Sequence, residues 1–225
     1  MTIGTDTNKQ RFYIKRPLKE FAGINAYRKA FADEAETGLQ CNHPNLLRYL
    51  RLEQDEQGTY IALEYTPSLP LNLALVEDSL DIHSVKEAKF LMTQLLDAVE
   101  YLHAKELCHL NIRPENIFIT RKAHDVKLAN PAWTYLHCQP SFFLIKEKYT
   151  APELFEDQAS INYKACDIYS LGKVMEYLFS FCNLSAGIQR VIHKATQKAP
   201  EKRYANIAEM RKALQQSTSI DLGIS

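Results

Sequence analysis

The run His109-Leu110-Asn111-Ile112-Arg113-Pro114-Glu115-Asn116 decides how this chain is read. Its chemically decisive letter is Asn111. A carboxamide has no titratable lone pair in the useful range, so it orients a hydroxyl but cannot take its proton. His109, Pro114 and Asn116 read as residues that turn and pack the chain. Just upstream, Ser84-Val85-Lys86-Glu87 has the form of a capping box. Ala88, Leu91, Leu95, Ala98 and Leu102 then recur at helical steps, predicting a long helix with a wide buried stripe. Downstream, two short apolar runs at 116–120 and 125–129 flank a basic turn. Residues 167–181 are apolar all round, as a helix at the centre of a helical lobe should be, and 188–198 and 207–214 supply two more helices.

Further out, residues 11–15 read as a strand, and 24–40 as a helix with Phe31, Ala35 and Leu39 on one face. Pro44 ends that helix, and strands are expected at 46–52 and 59–65 around the polar turn Asp55-Glu56-Gln57-Gly58. Strands first and helices later predict an α+β fold with two segregated parts. With 225 residues, the chain is one domain, divided at about 1–65 and 66–225.

Composition excludes several classes of function. Hydrophobic content of 46% and charged content of 24% are those of an ordinary globular protein. Lys+Arg and Asp+Glu are equal at 27 each, so no net field favours nucleic acid or an anionic membrane surface. The five cysteines form no C-x-x-C pair and read as reduced thiols, which with the polar start and the absence of a long apolar run predicts a cytoplasmic protein without a membrane span. His103, His124, His137 and His193 show no metal-ligand spacing.

The opening run resembles the catalytic loop of the eukaryotic-type Ser/Thr protein kinase family, His-Arg-Asp, four residues, then Asn. Other segments resemble that family in its order. Tyr13-Ile14-Lys15 resembles the strand carrying the phosphate-gripping lysine, and Glu34 the helix glutamate that pairs with it, with Glu36 a rival. His43-Pro44-Asn45-Leu46 resembles the turn after that helix, and Leu63-Glu64-Tyr65 the hinge. Ala151-Pro152-Glu153, Asp167-Ile168-Tyr169-Ser170-Leu171-Gly172 and Pro200-Glu201-Lys202-Arg203-Tyr204 resemble the late motifs, whose Glu153, Asp167 and Arg203 the resemblance makes structural. It implies a kinase-like two-lobed fold from about Phe12 to Leu214, with a reduced β-rich N-lobe. The short link between residues 181 and 188 implies a helical C-lobe lacking part of the substrate-docking region.

Against that pattern the chemical parts are altered. The base position is Asn111, with His109 and Arg113 beside it. The metal-binding Asp-Phe-Gly is Asn130-Pro131-Ala132, so Asn116 and Asn130 offer only neutral carbonyl oxygens. The fourteen residues before Lys15 hold one glycine, Gly4, and no Gly-rich loop. Gly38, four past Glu34, removes an apolar plug of the family's core. Tyr13 and Phe118 stand where the adenine pocket should be and are expected to fill it.

These substitutions imply a pseudokinase that is not an enzyme and has no cofactor, with ATP and Mg²⁺ binding weak or absent. Lys15, Glu34, Asn116 and Asn130 then remain as remnants of the site. Such a protein acts as a scaffold or allosteric regulator of a protein partner, for instance an active kinase or signalling protein. Phe142-Phe143-Leu144-Ile145 is the candidate partner patch, unless it folds back into the cleft. The alternative is a divergent Ser/Thr protein kinase or ATP-binding phosphotransferase, or a nucleotide sensor with residual activity.

Overall fold

A computed structural model describes residues 1–77, 80, 82, 84–135, 148–155, 160–182 and 184–217. The first part is an antiparallel sheet of β1 (Thr2–Thr5), β2 (Arg11–Lys15), β3 (Tyr49–Asp55) and β4 (Gly58–Glu64), in the order β1-β2-β4-β3, with α1 (Asn25–Leu39) against one face. Period-two alternation sorts the side chains of β2. Phe12 and Ile14 pack with Tyr60 and Ala62 on the outer face. Tyr13 packs on the inner face against the cluster of Phe31, Ala35, Leu47, Tyr49, Ile61 and Leu63. Lys15 shares the Tyr13 face.

Helix α1 has no side-chain cap, so its buried face holds it. That face is Tyr27, Ala30, Phe31, Glu34, Ala35 and Gly38, a 3.6-residue stripe. The expectation that Leu39 closes the stripe is corrected. Steps of exactly four drift off a 3.6-residue face, and Leu39 is 45% exposed. The glycine does not leave a hole either. A Cβ on Gly38 would sit 2.5 Å from a ring carbon of Tyr49, so the β3 tyrosine fills the space that the helix leaves open.

The second part begins with a small sheet, β5 (Ser68–Pro70), β6 (Ile117–Thr120) and β7 (Val126–Leu128), with the short α2 (Leu71–Val76) following β5. Then come α3 (Val85–Ala104), α4 (Tyr163–Phe179), α5 (Ala186–Ala195) and α6 (Ile207–Gln216). The capping box of α3 is present: the Glu87 amide donates to Ser84 Oγ at 3.2 Å, and the Ser84 amide donates to Glu87 Oε2 at 2.9 Å. Its stripe of Leu91, Met92, Leu95, Leu96, Val99 and Leu102 is fully buried. Burying each such side chain contributes about 1.5–3 kcal/mol. Helix α4 runs through the middle of this core, from an Asn162 cap whose side chain accepts from the Ala165 amide at 3.1 Å.

Two expected boundaries move. The strand expected at 46–52 begins at Tyr49, because residues 45–47 pair elsewhere: Leu47 N–H donates to Leu128 O at 2.9 Å, and Leu128 N–H to Asn45 O at 2.8 Å. The helix expected from Asp167 begins at Tyr163, and its end at Phe179 leaves only residues 180–185 before α5. Among the described residues no helix is long and apolar enough to cross a membrane.

Two buried polar hubs tie the loops to α4. Asp167, fully buried, accepts from the amides of His109 and Leu110 at 2.7 Å each and meets His103 Nε2 at 2.9 Å. That fixes the start of the 109–116 loop, and it lets Leu110 hold φ +61°. Glu153 and Arg203 form a bidentate pair at 2.5 and 2.9 Å, with side-chain exposures of 2% and 0%. Arg203 also donates to the carbonyls of Gln197, Ala165 and Lys198, so all five of its N–H groups are satisfied. Burial pushes the Glu153 carboxyl up, but the guanidinium outweighs it and leaves the group below its ordinary value.

Replacing Arg203 by Ala leaves Glu153 as an uncompensated buried charge and is expected to cost about 3–5 kcal/mol in denaturant unfolding. Arg203→Lys should recover little, because an ammonium cannot serve the bidentate pair and three carbonyls together. His109 gives a pH signature. Burial pushes its ring from 6.5 down to about 4, so between those values the unfolded chain binds a proton that the folded chain refuses. Stability is therefore highest above pH 6.5 and falls on acidification toward pH 4, by up to about 1.4 kcal/mol per pH unit. Urea midpoints across this window should flatten in His109→Gln; an unchanged slope would assign the acid sensitivity to other groups.

Candidate functional site

Between the two parts, β2, α1, the 109–116 loop and the 129–135 segment converge. Lys15 Nζ donates to Glu34 Oε1 at 2.6 Å. Glu34 is 0% exposed, and Glu34 rather than Glu36 takes this pair. Its carboxylate has two further donors. The Tyr49 hydroxyl bonds Oε1, and the Tyr135 hydroxyl bonds Oε2 at 2.7 Å. Burial, with the carboxylate beside it, pushes the Tyr49 phenol well above its ordinary value, so it stays protonated and donates. Tyr135 is also anchored by its ring, 5.6 Å from that of Tyr27 on α1. Neither tyrosine was singled out in the sequence. Both are distant from Glu34 along the chain, and neither belongs to a motif.

Below this pair lies a ring of carboxamides. Asn111 Nδ2 donates to Asn130 O at 2.8 Å, Asn116 Nδ2 to Asn111 O at 2.9 Å, and Asn130 Nδ2 to Asn116 Oδ1 at 3.1 Å. Asn130 sits at φ +57°, a left-handed conformation that asparagine tolerates better than most residues. The Asn111 amide donates to His109 Nδ1 at 3.2 Å, and Arg113 Nε pairs with Glu115 Oε2 at 2.9 Å on the outer side of the loop. Lys15, Asn111, Asn116, Asn130 and Tyr135 line a cavity of about 360 Å³.

A second cavity, of about 370 Å³, shares Asn130 and is lined by Tyr13, Leu47, Ser68 and Phe118. Tyr13 and Phe118, expected in this space, stand on its walls and pack against the cluster that includes Leu47, Leu63 and Ala129. The Tyr13 hydroxyl donates to Thr66 O at 2.9 Å, and its ring lies 5.2 Å from that of Tyr65. A larger cavity of about 670 Å³, lined by Arg16, Lys19, Arg28 and Phe31 among others, involves none of the site residues expected from the sequence. The patch Phe142-Phe143-Leu144-Ile145 lies outside the described residues.

The divalent cation that the family resemblance implies does not fit this donor set. Mg²⁺ is held through one or two carboxylates with near-octahedral oxygen geometry. Here both candidate ligands are carboxamides, and Asn116 Oδ1 already accepts from Asn130 Nδ2. Among the described residues, the one grouping of His, Cys and carboxylate with ligand atoms close together is His103, Cys108 and Asp167, within 4.8 Å of one another. Asp167 is committed there to loop amides, and burial pushes the Cys108 thiol up to about 12, opposing the thiolate that a metal needs.

Comparison with known proteins gives a consistent family. The model of the protein kinase domain matches residues 3–221. Serine/threonine-protein kinase PKH2 of Saccharomyces cerevisiae is 29% identical over 190 residues, covering 77% of this chain and 17% of that protein. Serine/threonine-protein kinase PrkC of Bacillus subtilis is 26% identical over 160 residues, covering 69% of this chain and 24% of that one. The chain thus spans about a quarter or less of these two relatives. Among solved structures, the PknI kinase domain of Mycobacterium tuberculosis superposes with a TM-score of 0.73 at 20% identity, over 93% of this chain and 86% of that one, a likeness of fold.

The expectation that the chain is not an enzyme is overturned by these matches, which point to an enzyme family. That expectation rested on counting changed letters. In space, Tyr49 occupies the room above Gly38, the Lys15–Glu34 pair is made, and cavities of about 360 and 370 Å³ lie beside it. The chain belongs to the protein kinase domain family, with serine/threonine-protein kinases among its relatives.

Proposed function

We propose that this chain is a divergent Ser/Thr-type protein kinase that binds ATP in the cleft and transfers its terminal phosphoryl group slowly to a protein hydroxyl. The observation that carries this reading is the Lys15–Glu34 pair, held by Tyr49 and Tyr135 and fronting an open cavity. A buried carboxylate with three donors fixes Lys15 in place, and 18% of the Lys15 side chain remains accessible to a phosphate. Tyr13, Leu47 and Phe118 offer apolar walls to a base.

Phosphoryl transfer passes through a loose transition state and asks the protein mainly for positioning and charge stabilisation. Lys15 supplies the positive charge. Asn111 orients the acceptor hydroxyl. As the hydroxyl oxygen bonds to the γ-phosphorus, the bond from that phosphorus to the bridging oxygen breaks and ADP leaves, while the hydroxyl proton goes to solvent or to the transferred group. No base takes that proton, which slows transfer by about 10²–10⁴. Set against typical protein kinases at about 1–100 s⁻¹, turnover is expected near 10⁻⁴–1 s⁻¹ at best.

A thermal-shift titration tests the binding step, since a ligand that binds the native state raises the midpoint. ATP should raise it saturably in the wild type. Tyr135→Phe, which loses one donor to Glu34, should need severalfold more ATP, and Lys15→Met at least about tenfold more. No saturable shift in the wild type would sink the proposal. Transfer of labelled phosphate to a Ser/Thr peptide library should be slow, and Lys15→Met should abolish it. Equal labelling by Lys15→Met would show that the signal comes from a contaminant.

A further inference from the structure

We propose that the cleft takes a nucleoside triphosphate as the free anion, without a divalent cation. This deepens the function proposed above and rests on its binding step. The argument is one of charge at the phosphate end of the cleft. Among the described residues, the lining of the 360 Å³ cavity includes Lys15 and Arg16 and no aspartate or glutamate. The nearby carboxylate, Glu34, is buried behind Lys15 and saturated by Lys15, Tyr49 and Tyr135. Among the side chains of this lining, Arg16 is directed to Asp55, at 3.0 and 2.5 Å, which leaves Lys15 as the side-chain cation for phosphate.

Two consequences follow from replacing carboxylates with carboxamides here. A divalent ion loses the negative ligands that draw it into a protein site. A bare triphosphate, in turn, meets no like charge to repel it, the repulsion that otherwise makes a shielding cation necessary. The carboxamides also present the right hydrogen-bond polarity. Each side-chain nitrogen of Asn111, Asn116 and Asn130 carries two N–H groups, and one from each is engaged within the ring. The second N–H of each remains for an anionic oxygen. Charge-assisted bonds from N–H to phosphate are stronger than neutral ones and need no metal. The left-handed backbone at Asn130 keeps its carboxamide beside Asn116, so the ring is a fixed arrangement of residues 111, 116 and 130.

The test is a fluorescence titration of the full chain with N-methylanthraniloyl-ATP, once in EDTA and once with excess Mg²⁺. The expected result is a Kd in EDTA equal to or below that in Mg²⁺. Asn130→Asp restores one carboxylate at a position whose backbone conformation aspartate also tolerates. Its Kd should rise at least about tenfold in EDTA and recover when Mg²⁺ is added. Binding that appears only with Mg²⁺, or is about tenfold tighter with it, overturns this inference and leaves the proposed kinase reading standing. No binding in either buffer overturns both. If Asn130→Asp fails to fold, Asn116→Asp provides the same comparison from the other side of the ring, with the same expected reversal.

Discussion

One buried carboxylate constrains the upper half of this molecule. Glu34 has no exposed surface, and a lone ionised carboxylate in that position would be prohibitively costly. It is tolerable because three donors reach it from three other parts of the chain: Lys15 from β2, Tyr49 from β3 and Tyr135 from the segment that follows Asn130. Each bond therefore also fixes a relation between elements. The sheet, helix α1 and the first turn after residue 130 cannot shift independently without leaving a charge or a phenol unpaired. The accessible face of Lys15 is a by-product of that constraint, and it points into the cleft.

The lower half repeats the device with two other acids. Asp167 holds the amides of His109 and Leu110, and Glu153 holds the guanidinium of Arg203. Both anchor loops to α4 or to the segment packed upon it, in a core made mainly of apolar side chains. The carboxamide ring of residues 111, 116 and 130 hangs from this frame. Its side chains are neutral, so beside Lys15 they bring hydrogen-bonding groups but no charge to the cavity.

Several elements were legible because local chemistry and packing agree. Residues 11–15 form the strand that their alternation predicts, and Ser84–Glu87 cap the long helix as their spacing requires. The misread places are those where a distant partner decides. Residues 45–47 have strand-like composition, but their backbone groups pair with Leu128, so β3 starts later. The short strands β1 and β5 and the helix α2 carry too few residues for periodicity to register. Gly38 read as a missing plug because the residue that fills its space, Tyr49, comes from another element. The setting of the Tyr13 ring was equally out of reach, because nothing in the sequence shows its hydroxyl reaching Thr66.

The sequence by itself determined the family and the chemical identity of the site. The motifs stand in order along the chain, and a carboxamide at 111 or 130 is neutral whatever surrounds it. Only the tertiary structure decided how those letters stand around the cleft. That depends on which distant side chains meet at Glu34 and where the Tyr13 ring turns. Such contacts join residues up to 101 positions apart and are set by packing and by the cost of burying a charge unpaired, neither of which is written in any local pattern.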